Sequence, residues 1–286
     1  MTLSDKLAPA KNLTRTVLRP LRTENTNYMF WVGRDDEGPN FGDLIGPYLY
    51  EKVTGRQPTF MHPSNRSLKT VYLTVGSILY WCRDNAMVWG SGIVRKDETF
   101  PQPHKTYSVR GPLTRQRFME LGYSCPEKFG DPGLLMSTFY RPDAINKKYK
   151  LGIIPHYVDQ GACAELYPAS ADIKVINVYD PVEKVIDQIL SCEAIVSSSL
   201  HGLIMAHAYG IPAGWIKFGD RLWGDNVKFA DHYKSLQGDI EPHALDVEQY
   251  IDLSALIAFV SDSFQPNPSD VSGLQNSLLE SCPFKA

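Results

Sequence analysis

The stretch "IVSSSLHGLIMAHAYGIPAGWIKF" runs from Ile195 to Phe218 and decides the fold of the second half of the chain. The first residues of this stretch belong to a β-branched, apolar segment at 193–198, which predicts a buried strand. Residues 199–210 then predict a helix that ends at a glycine, and residues 212–218 predict another strand. Strand, helix and strand in this order are typical of a parallel α/β unit.

The same alternation extends through the rest of the chain in two blocks. Strands are predicted at 27–33, 70–79, 86–93, 105–111, 150–157, 173–178, 193–198 and 212–218. Helices are predicted at 40–55, 112–122, 181–192, 199–210, 229–238 and 247–264. In mostly parallel sheets of this kind, ligands bind beyond the carboxyl ends of the strands. The predicted fold class is therefore α/β, with two Rossmann-like domains that face a central crevice.

A charged, proline-containing segment at 141–150 separates the blocks and predicts a linker. We expect four parts, namely a basic arm at 1–26, a first domain at 27–145, a second domain at 146–264 and a tail at 265–286. The tail is rich in Pro, Ser and Asn, which predicts a loose segment with at most one helical turn. The arm has five basic residues and no acid between Lys6 and Arg22. It is either a solvated or partner-packed tail or a segment that rests on anionic lipid.

Composition and charge argue against several classes of protein. The formal net charge of −3 gives no global basic field for binding nucleic acid. The sequence contains no apolar run of the roughly 18 residues that a membrane-spanning helix needs, and its start has no apolar signal-peptide core. The five cysteines have no CxxC spacing, which indicates a reducing compartment and no zinc site. We therefore expect a cytoplasmic protein without a metal.

The polar residues that follow the predicted strands are the candidate site residues. Ser198, Ser199 and His201 lie between a strand and the first turn of a helix, where free amides and the helix dipole favour a bound anion. A histidine there can transfer a proton beside the anion. The alternative is a capped helix whose histidine is only solvated or packed. His207 lies off the helix face of His201 and is interpreted as structural.

Further candidates lie at other strand ends. Arg110 closes a strand, and an arginine there suits bidentate contact with carboxylate or phosphate, although a surface salt bridge is the alternative. Asn40 and Asp43 flank a glycine at the start of a helix. Asp43 is either a base for a sugar hydroxyl or an acid that complements the helix dipole. Arg34 is a weaker candidate of the same kind as Arg110.

The second block supplies other polar residues. His156 follows a strand and is expected in the crevice, and Lys217 could neutralise an anion. A polar segment before the next helix holds Asp220, Arg221, Asp225, Asn226 and Lys228, whose roles stay open. No GxGxxG or GxxxxGK[ST] motif is present, so nucleotide binding has no direct support.

Taken in order, several motifs resemble the polysaccharide pyruvyltransferase family, notably its shorter members of the xanthan and succinoglycan type. The likeness covers roughly residues 30 to 236 and is carried by "NFGDLIGPYL", "GSIL", "WGSGI", "VRGPLTRQRFMELG", "GDPGLLM", "SSSLHGLIMAHAYGIP" and "KFADHYKSL". The resemblance implies a fold similar to the B-type, two-Rossmann glycosyltransferases. It also implies transfer of pyruvate from phosphoenolpyruvate to two sugar hydroxyls, which forms a cyclic ketal.

The resemblance also implies roles for particular residues. His201 matches the motif histidine that acts as the acid, and Arg110 matches an arginine that holds the donor's anionic groups. The donor loop matches Ser198, Ser199 and Leu200, with Gly202 beside them. Many relatives carry an arginine at the position of Ser199, so one cation for the donor is missing here. We expect the side chains of Lys217 or Arg221, or the serines and amides of the loop, to compensate.

The resemblance implies phosphoenolpyruvate as a co-substrate and no cofactor. The expected acceptor is an oligosaccharide or lipid-linked glycan, which would bring the basic arm to the cytoplasmic face of the inner membrane. Asn40, His156 and Arg221 are the candidates for the acceptor side of the crevice. A sugar-nucleotide glycosyltransferase of similar fold is the main alternative, and a non-catalytic glycan-binding subunit is the other.

Overall fold

The computed structural model of the chain describes residues 27–33, 38–65, 69–238 and 240–284. The first half of the described chain contains a parallel sheet with the strand order β2-β1-β3-β4-β5. Its strands are β1 (Tyr28–Phe30), β2 (Thr59–Phe60), β3 (Val71–Leu73), β4 (Ala86–Trp89) and β5 (Lys105–Ser108). The basic arm and Arg34 lie outside the described residues, so the predictions for them stay predictions.

The second half contains another parallel sheet, with the order β10-β9-β8-β6-β7. Its strands are β6 (Tyr149–Ile154), β7 (Ile173–Val175), β8 (Cys192–Ser197), β9 (Ala213–Lys217) and β10 (Leu245–Asp246). Two parallel sheets connected through helices confirm the predicted α/β class. The closer likeness to B-type glycosyltransferases stays a prediction.

Helices cover both sheets. They are α1 (Phe41–Thr54), α2 (Pro112–Glu120), α3 (Met136–Phe139), α4 (Gln160–Leu166), α5 (Val182–Leu190), α6 (Leu200–Ala208), α7 (Val227–Leu236), α8 (Leu253–Asp262) and α9 (Pro268–Glu280). Local sequence sets their ends. Helix α1 begins after Asn40, which forms a capping box with Asp43, and ends at Gly55 in the left-handed conformation.

Several predicted strands are longer than the observed ones. The run predicted at 70–79 forms a strand only over Val71–Leu73, and the run at 86–93 stops at Trp89. Glycines follow both strands with positive φ angles, 101° at Gly76 and 79° at Gly90, which extended strands do not adopt. The glycines therefore turn the chain away from both strands at the same edge of the first sheet.

The prediction of a loose C-terminal tail is wrong. Residues Pro268–Glu280 form the 13-residue helix α9, because Val271 and Leu278 recur at helical spacing and are buried. The helix packs on the first half of the chain, where Trp89 Nε1 donates a hydrogen bond to the carbonyl of Leu278 at 3.2 Å. The prediction used only the composition of the segment, which does not show this apolar helix face.

The boundary between the two halves is crossed by helices. Helix α1 contacts α5, and Tyr48 of α1 donates a 2.6 Å hydrogen bond to Glu183 of α5. Helix α7 of the second half likewise packs on α2 of the first half. Among the residues that the structure describes, no helix is long and apolar enough to span a bilayer. All five cysteines are described, buried and unpaired by disulfides.

Candidate active site

A cavity of about 160 Å³ lies where the two halves meet, and it receives chain segments that follow strands of both sheets. Gly76 and Ser77 come after β3, and Val94 follows β4. From the second half, His156 follows β6 and His201 follows β8. The cavity therefore occupies the crevice that parallel strand ends predict.

A second, more open cavity of about 740 Å³ lies elsewhere, lined in part by Arg141 and Lys147. It is larger, but none of the predicted catalytic or binding residues lines it. The smaller cavity collects Asn40, Asp43 and His201 together and has a lysine on its wall. Convergent titratable groups in a cleft identify an active site better than volume does, so we assign the site to the smaller cavity.

His201 lies in the first turn of α6 and lines the cavity. Its imidazole packs directly on the start of α1, since a Cβ atom added to Gly42 would lie 2.3 Å from His201 Nδ1. On the other side, Nε2 lies 3.8 Å from Asp131 Oδ2, too far for a hydrogen bond. Within the described chain, neither of these two buried atoms has a hydrogen-bond partner. The histidine is thus held between the start of α1 and the buried carboxylate of Asp131, with Nε2 on the side of Asp131.

Asp131 is a residue whose role sequence reasoning missed. It is fully buried, and its Oδ1 atom accepts a 2.8 Å hydrogen bond from the amide of Gly133. Its second oxygen faces His201. The "GDPGLLM" motif contains this aspartate, but only the folded chain brings it to the histidine.

Asp43 and Asn40, at the start of α1, also line the cavity. The Asn40 side chain donates to Asp43 Oδ2 at 2.5 Å and accepts from the Gly42 amide at 2.9 Å. Burial raises the pKa of Asp43 to about 6, although the nearby charge of His201 and the hydrogen bonds from Asn40 oppose that shift. Asp43 therefore stays largely ionised at neutral pH and is a stronger base than an exposed aspartate.

The serine run holds the loop in place, and only part of it reaches the cavity. Ser199 and Leu200 line the cavity, and Ser199 makes no side-chain cap to α6, so amides of the first turn remain for an anion. Ser198 is fully buried, and its hydroxyl bonds Asp159 at 2.7 Å and the amide of His156 at 2.9 Å. The predicted donor contact of the Ser198 hydroxyl is therefore wrong.

Gly202 also does not line the cavity, so its predicted donor contact is not supported. A Cβ atom at this position would lie 2.3 Å from Ser197 Oγ and 3.1 Å from Ile154. The glycine is required because α6 packs closely against the end of β6 and β8. Its role is to let the first turn of α6 approach the sheet.

Arg110 is not in the cavity, which corrects the predicted donor contact. Its side chain is fully buried, and Nε lies 3.0 Å from Asp231 Oδ2. Its other nitrogens donate to Ser77 Oγ at 2.6 Å and to the carbonyl of Ile93 at 2.7 Å. The fork of the guanidinium is thus already used. Arg110 acts through Ser77, whose Oγ lines the cavity and keeps its hydrogen to donate to a ligand.

Lys217 and Arg221 do not supply the missing cation. Lys217 Nζ is paired with Asp220 at 3.2 Å and with Asp246 at 3.3 Å. Arg221 is exposed and donates to the carbonyl of Phe218 at 3.3 Å. Neither residue lines the cavity. The prediction that one of them faces a bound anion is therefore not supported by their positions.

Among the described residues that line the cavity, Lys228 supplies a cation. It lies in the first turn of α7 and lines the cavity together with Ser77 and His201. Burial and, to a smaller extent, the charge of Arg110 lower the pKa of Lys228 to about 8, and the charge of Asp159 opposes the shift. A lysine held this way is charged at neutral pH and gains from an anionic partner. Its place at the start of a helix after the polar segment was the only signal in the sequence.

His156 lies on the cavity wall, as expected, and its ring is tilted by 36° from that of Tyr157, with 4.1 Å between centroids. His207 is fully enclosed and bonds His232 at 3.0 Å, which agrees with a structural role. Among the described residues, no group of three or more His, Cys, Asp or Glu side chains is arranged to hold a metal ion.

Comparisons with known proteins agree with this geometry. Residues 83–217 match the family described as polysaccharide pyruvyl transferase. The chain belongs to this family. That membership supports a transferase and, in general terms, polysaccharide pyruvylation. The matched region runs from the segment before β4 to the last residue of β9.

Two relatives of the chain are similar over about two thirds of their length. Uncharacterized protein L143 of Acanthamoeba polyphaga mimivirus is 33% identical over 204 residues, which cover 68% of this chain and 69% of that protein. Succinoglycan biosynthesis protein ExoV of Rhizobium meliloti (strain 1021) is 30% identical over 220 residues, which cover 73% of this chain and 65% of ExoV. No solved structure matches the chain.

The position of Arg110 leads to a prediction about stability. Arg110→Met leaves the Asp231 carboxylate buried without its ionic partner, which costs about 3–5 kcal/mol. We expect the free energy of unfolding, measured in urea, to fall by that amount. Arg221→Met is the matched control, since an exposed arginine changes stability by less than about 0.5 kcal/mol. If Arg110→Met is as stable as the wild type and loses only donor binding, the structural role is refuted.

Proposed function

We propose that the protein transfers pyruvate from phosphoenolpyruvate to two hydroxyls of a sugar, forming a cyclic ketal and releasing phosphate. One observation carries the proposal. The imidazole of His201 lines a cavity that also contains a lysine and the first turn of a helix. An acid beside an anion site is what protonation of an enol phosphate requires.

The donor's anionic groups would be held at the side of the cavity where three features meet. Lys228 supplies a charge, the first turn of α6 supplies amides, and Ser77 supplies a hydroxyl. This arrangement explains how the chain manages with Ser199 where many relatives carry an arginine. Lys228 of α7 supplies the positive charge that an arginine at position 199, before α6, would otherwise supply.

The chemistry then needs two additions to one carbon. Protonated His201 gives a proton to the methylene carbon of the donor, and the adjacent carbon becomes cationic. A sugar hydroxyl adds to that carbon and loses its proton to Asp43. The carbon–oxygen bond to phosphate breaks, and the second hydroxyl closes the ring. Its proton leaves with the phosphate, and the proton on Asp43 returns to His201, so the net reaction is donor plus diol giving ketal plus phosphate.

Electrostatics suit these roles. A general base works best with a pKa near the working pH, and burial has moved the pKa of Asp43 up to about 6. The proposed acid and base both line the cavity.

The acceptor is proposed to be an oligosaccharide or lipid-linked glycan of an exopolysaccharide repeat unit, with cytoplasmic action and a peripheral membrane contact through the arm. The name of ExoV, which refers to succinoglycan biosynthesis, supports this direction. A sugar-nucleotide glycosyltransferase would need an adenine or uracil pocket and a diphosphate. The family match to pyruvyl transferases and the small cavity speak against it.

The reaction itself provides the first test. We expect His201→Gln to lower acceptor-dependent phosphate release from phosphoenolpyruvate by at least about 100-fold, because a general acid contributes that much or more. His243→Gln, an exposed histidine that does not line the cavity, is the matched control and should keep wild-type activity. Product is identified by the mass gain of a pyruvate ketal.

Two results would contradict the proposal. Near-normal turnover by folded His201→Gln removes the histidine from the chemistry. Consumption of a sugar nucleotide without any response to phosphoenolpyruvate removes the reaction and supports the glycosyltransferase alternative.

Lys228 provides a second test with a pH signature. Lys228→Met should weaken binding of phosphoenolpyruvate about 10- to 100-fold, since a hydrogen bond to a charged group is worth ~1.5–3 kcal/mol. The wild-type affinity should fall as pH rises through about 8, because the lysine loses its charge there. Titration calorimetry between pH 7 and 9.5 measures both effects, in a range where the donor phosphate stays ionised.

Lys228→Arg is the matched control for charge. An arginine does not titrate in this range, so the variant should bind the donor without the loss above about pH 8. Equal affinities for Lys228→Met and the wild type at pH 7 would exclude Lys228 from the donor site.

A further inference from the structure

Three aromatic side chains form a group at the mouth of the cavity, which we call the aromatic rim. It consists of Tyr80, Trp81 and Trp223. Trp81 and Trp223 line the cavity itself. Tyr80 and Trp223 are 53% and 47% exposed, which is unusual for rings of this size. An exposed apolar cluster that continues into a polar cavity marks a ligand surface.

The rim is assembled from both halves of the chain. Tyr80 and Trp81 belong to a short turn after β3, and Trp223 comes from the segment between β9 and α7. The ring of Tyr80 lies edge-on to that of Trp223, with 5.6 Å between centroids. Trp223 and Trp81 are 6.2 Å apart. Loop residues that come together in this way form one surface only when the two halves are held in register.

The segment that carries Trp223 is fixed to the first half. Asp225 Oδ2 accepts a 2.8 Å hydrogen bond from the amide of Lys96. Gly224 has φ of 107°, and a Cβ atom there would lie 2.4 Å from the carbonyl oxygen of Val94. Only glycine allows this close approach. The tryptophan is therefore held beside the cavity by the contacts of the two residues that follow it, which pre-organises it for binding.

The cavity is too small to enclose both substrates. A volume of about 160 Å³ is below the roughly 300–1,000 Å³ of pockets that enclose a drug-sized ligand, which suits a three-carbon donor. A sugar ring that reacts there has to lie at the mouth, with its hydroxyls directed inwards. The faces of aromatic rings carry negative potential, so they attract the C–H groups on the apolar face of a sugar.

We infer that the aromatic rim is the acceptor subsite, where Trp223 and Tyr80 contact the apolar face of a pyranose and direct two of its hydroxyls towards Asp43 and His201. The inference rests on the proposed function for the identity of the acceptor. Arg95, whose guanidinium carbon lies 5.9 Å from the centroid of the Trp223 ring, adds a donor at the outer edge for further hydroxyls. The subsite recognises a ring and its hydroxyls, and no charge on the sugar is needed.

Binding of simple glycosides in the absence of phosphoenolpyruvate tests the inference separately from the reaction. The probes are methyl β-D-glucopyranoside, methyl β-D-galactopyranoside and methyl α-D-mannopyranoside, with uridine diphosphate as the competing class of ligand. Saturation-transfer NMR and tryptophan fluorescence measure affinity. We expect at least one glycoside to bind, with the strongest transfer to C–H groups on one face, and Trp223→Ala and Tyr80→Ala each to weaken it roughly tenfold.

Two further variants make the result specific. Tyr250→Ala is the matched control, because Tyr250 is 56% exposed and does not line the cavity, and it should bind like the wild type. Trp223→Phe keeps a ring and should restore most of the affinity that Trp223→Ala loses. Circular dichroism confirms that each variant is folded.

Several outcomes overturn the inference. They are absence of glycoside binding, glycoside binding that Trp223→Ala and Tyr80→Ala leave unchanged, and tryptophan quenching by uridine diphosphate alone. The proposed function fails differently. If the rim binds glycosides but phosphoenolpyruvate is never consumed, the subsite stands and pyruvyl transfer is wrong. If phosphate is released with an unchanged acceptor KM in Trp223→Ala, pyruvyl transfer stands and the subsite is wrong.

Discussion

The buried ion pair between Arg110 and Asp231 is the constraint on which the active site depends. Arg110 belongs to the first half of the chain, and Asp231 belongs to α7 of the second. Asp231 also accepts hydrogen bonds from the amides of Leu113 and Thr114, so it caps α2 from outside that helix. A Cβ atom at Gly111 would lie 2.0 Å from the backbone oxygen of Asp231, which shows how closely the two segments meet.

This contact fixes the position of α7, the helix that carries Lys228. Lys228 lies one turn before Asp231 on the same helix, and Trp223 lies just ahead of that helix. On the other face of Arg110, its bond to Ser77 holds a hydroxyl at the cavity wall. A buried pair of this kind contributes little net stability but makes one arrangement far better than others. Here the arrangement it selects is the one that brings the walls of the cavity together.

Much of the fold could be predicted from the sequence, because parallel strands and covering helices leave strong local patterns. The alternation of strands and helices and the position of His201 at the start of α6 could be predicted from the stretch around β8. Helix α9 was missed, since its buried positions are scattered among polar residues. Strand ends were also misjudged where a glycine turns the chain out of the sheet.

The individual site residues were harder to predict, because a side chain's partner lies far away in sequence. The sequence predicts that Arg110 binds an anion of the donor. In the structure its Nε atom donates a hydrogen bond to Asp231, which lies 121 residues later in the chain. The sequence predicts that Ser198 contacts the donor, but in the structure its hydroxyl donates a hydrogen bond to Asp159. Lys228 is the opposite case. Nothing in the local sequence distinguishes it from the other charged residues of its segment, but in the structure it lines the cavity. Tertiary structure decides which charges are already paired and which one faces the cavity.

The most direct test of this account is a crystal structure of the protein with phosphoenolpyruvate and no acceptor. We predict the donor in the cavity between the two halves, with its methylene carbon within about 3.5 Å of the His201 imidazole and an anionic oxygen bound to Lys228. A donor that binds in the larger cavity beside Arg141 and Lys147, or that takes the guanidinium of Arg110 away from Asp231, would contradict it.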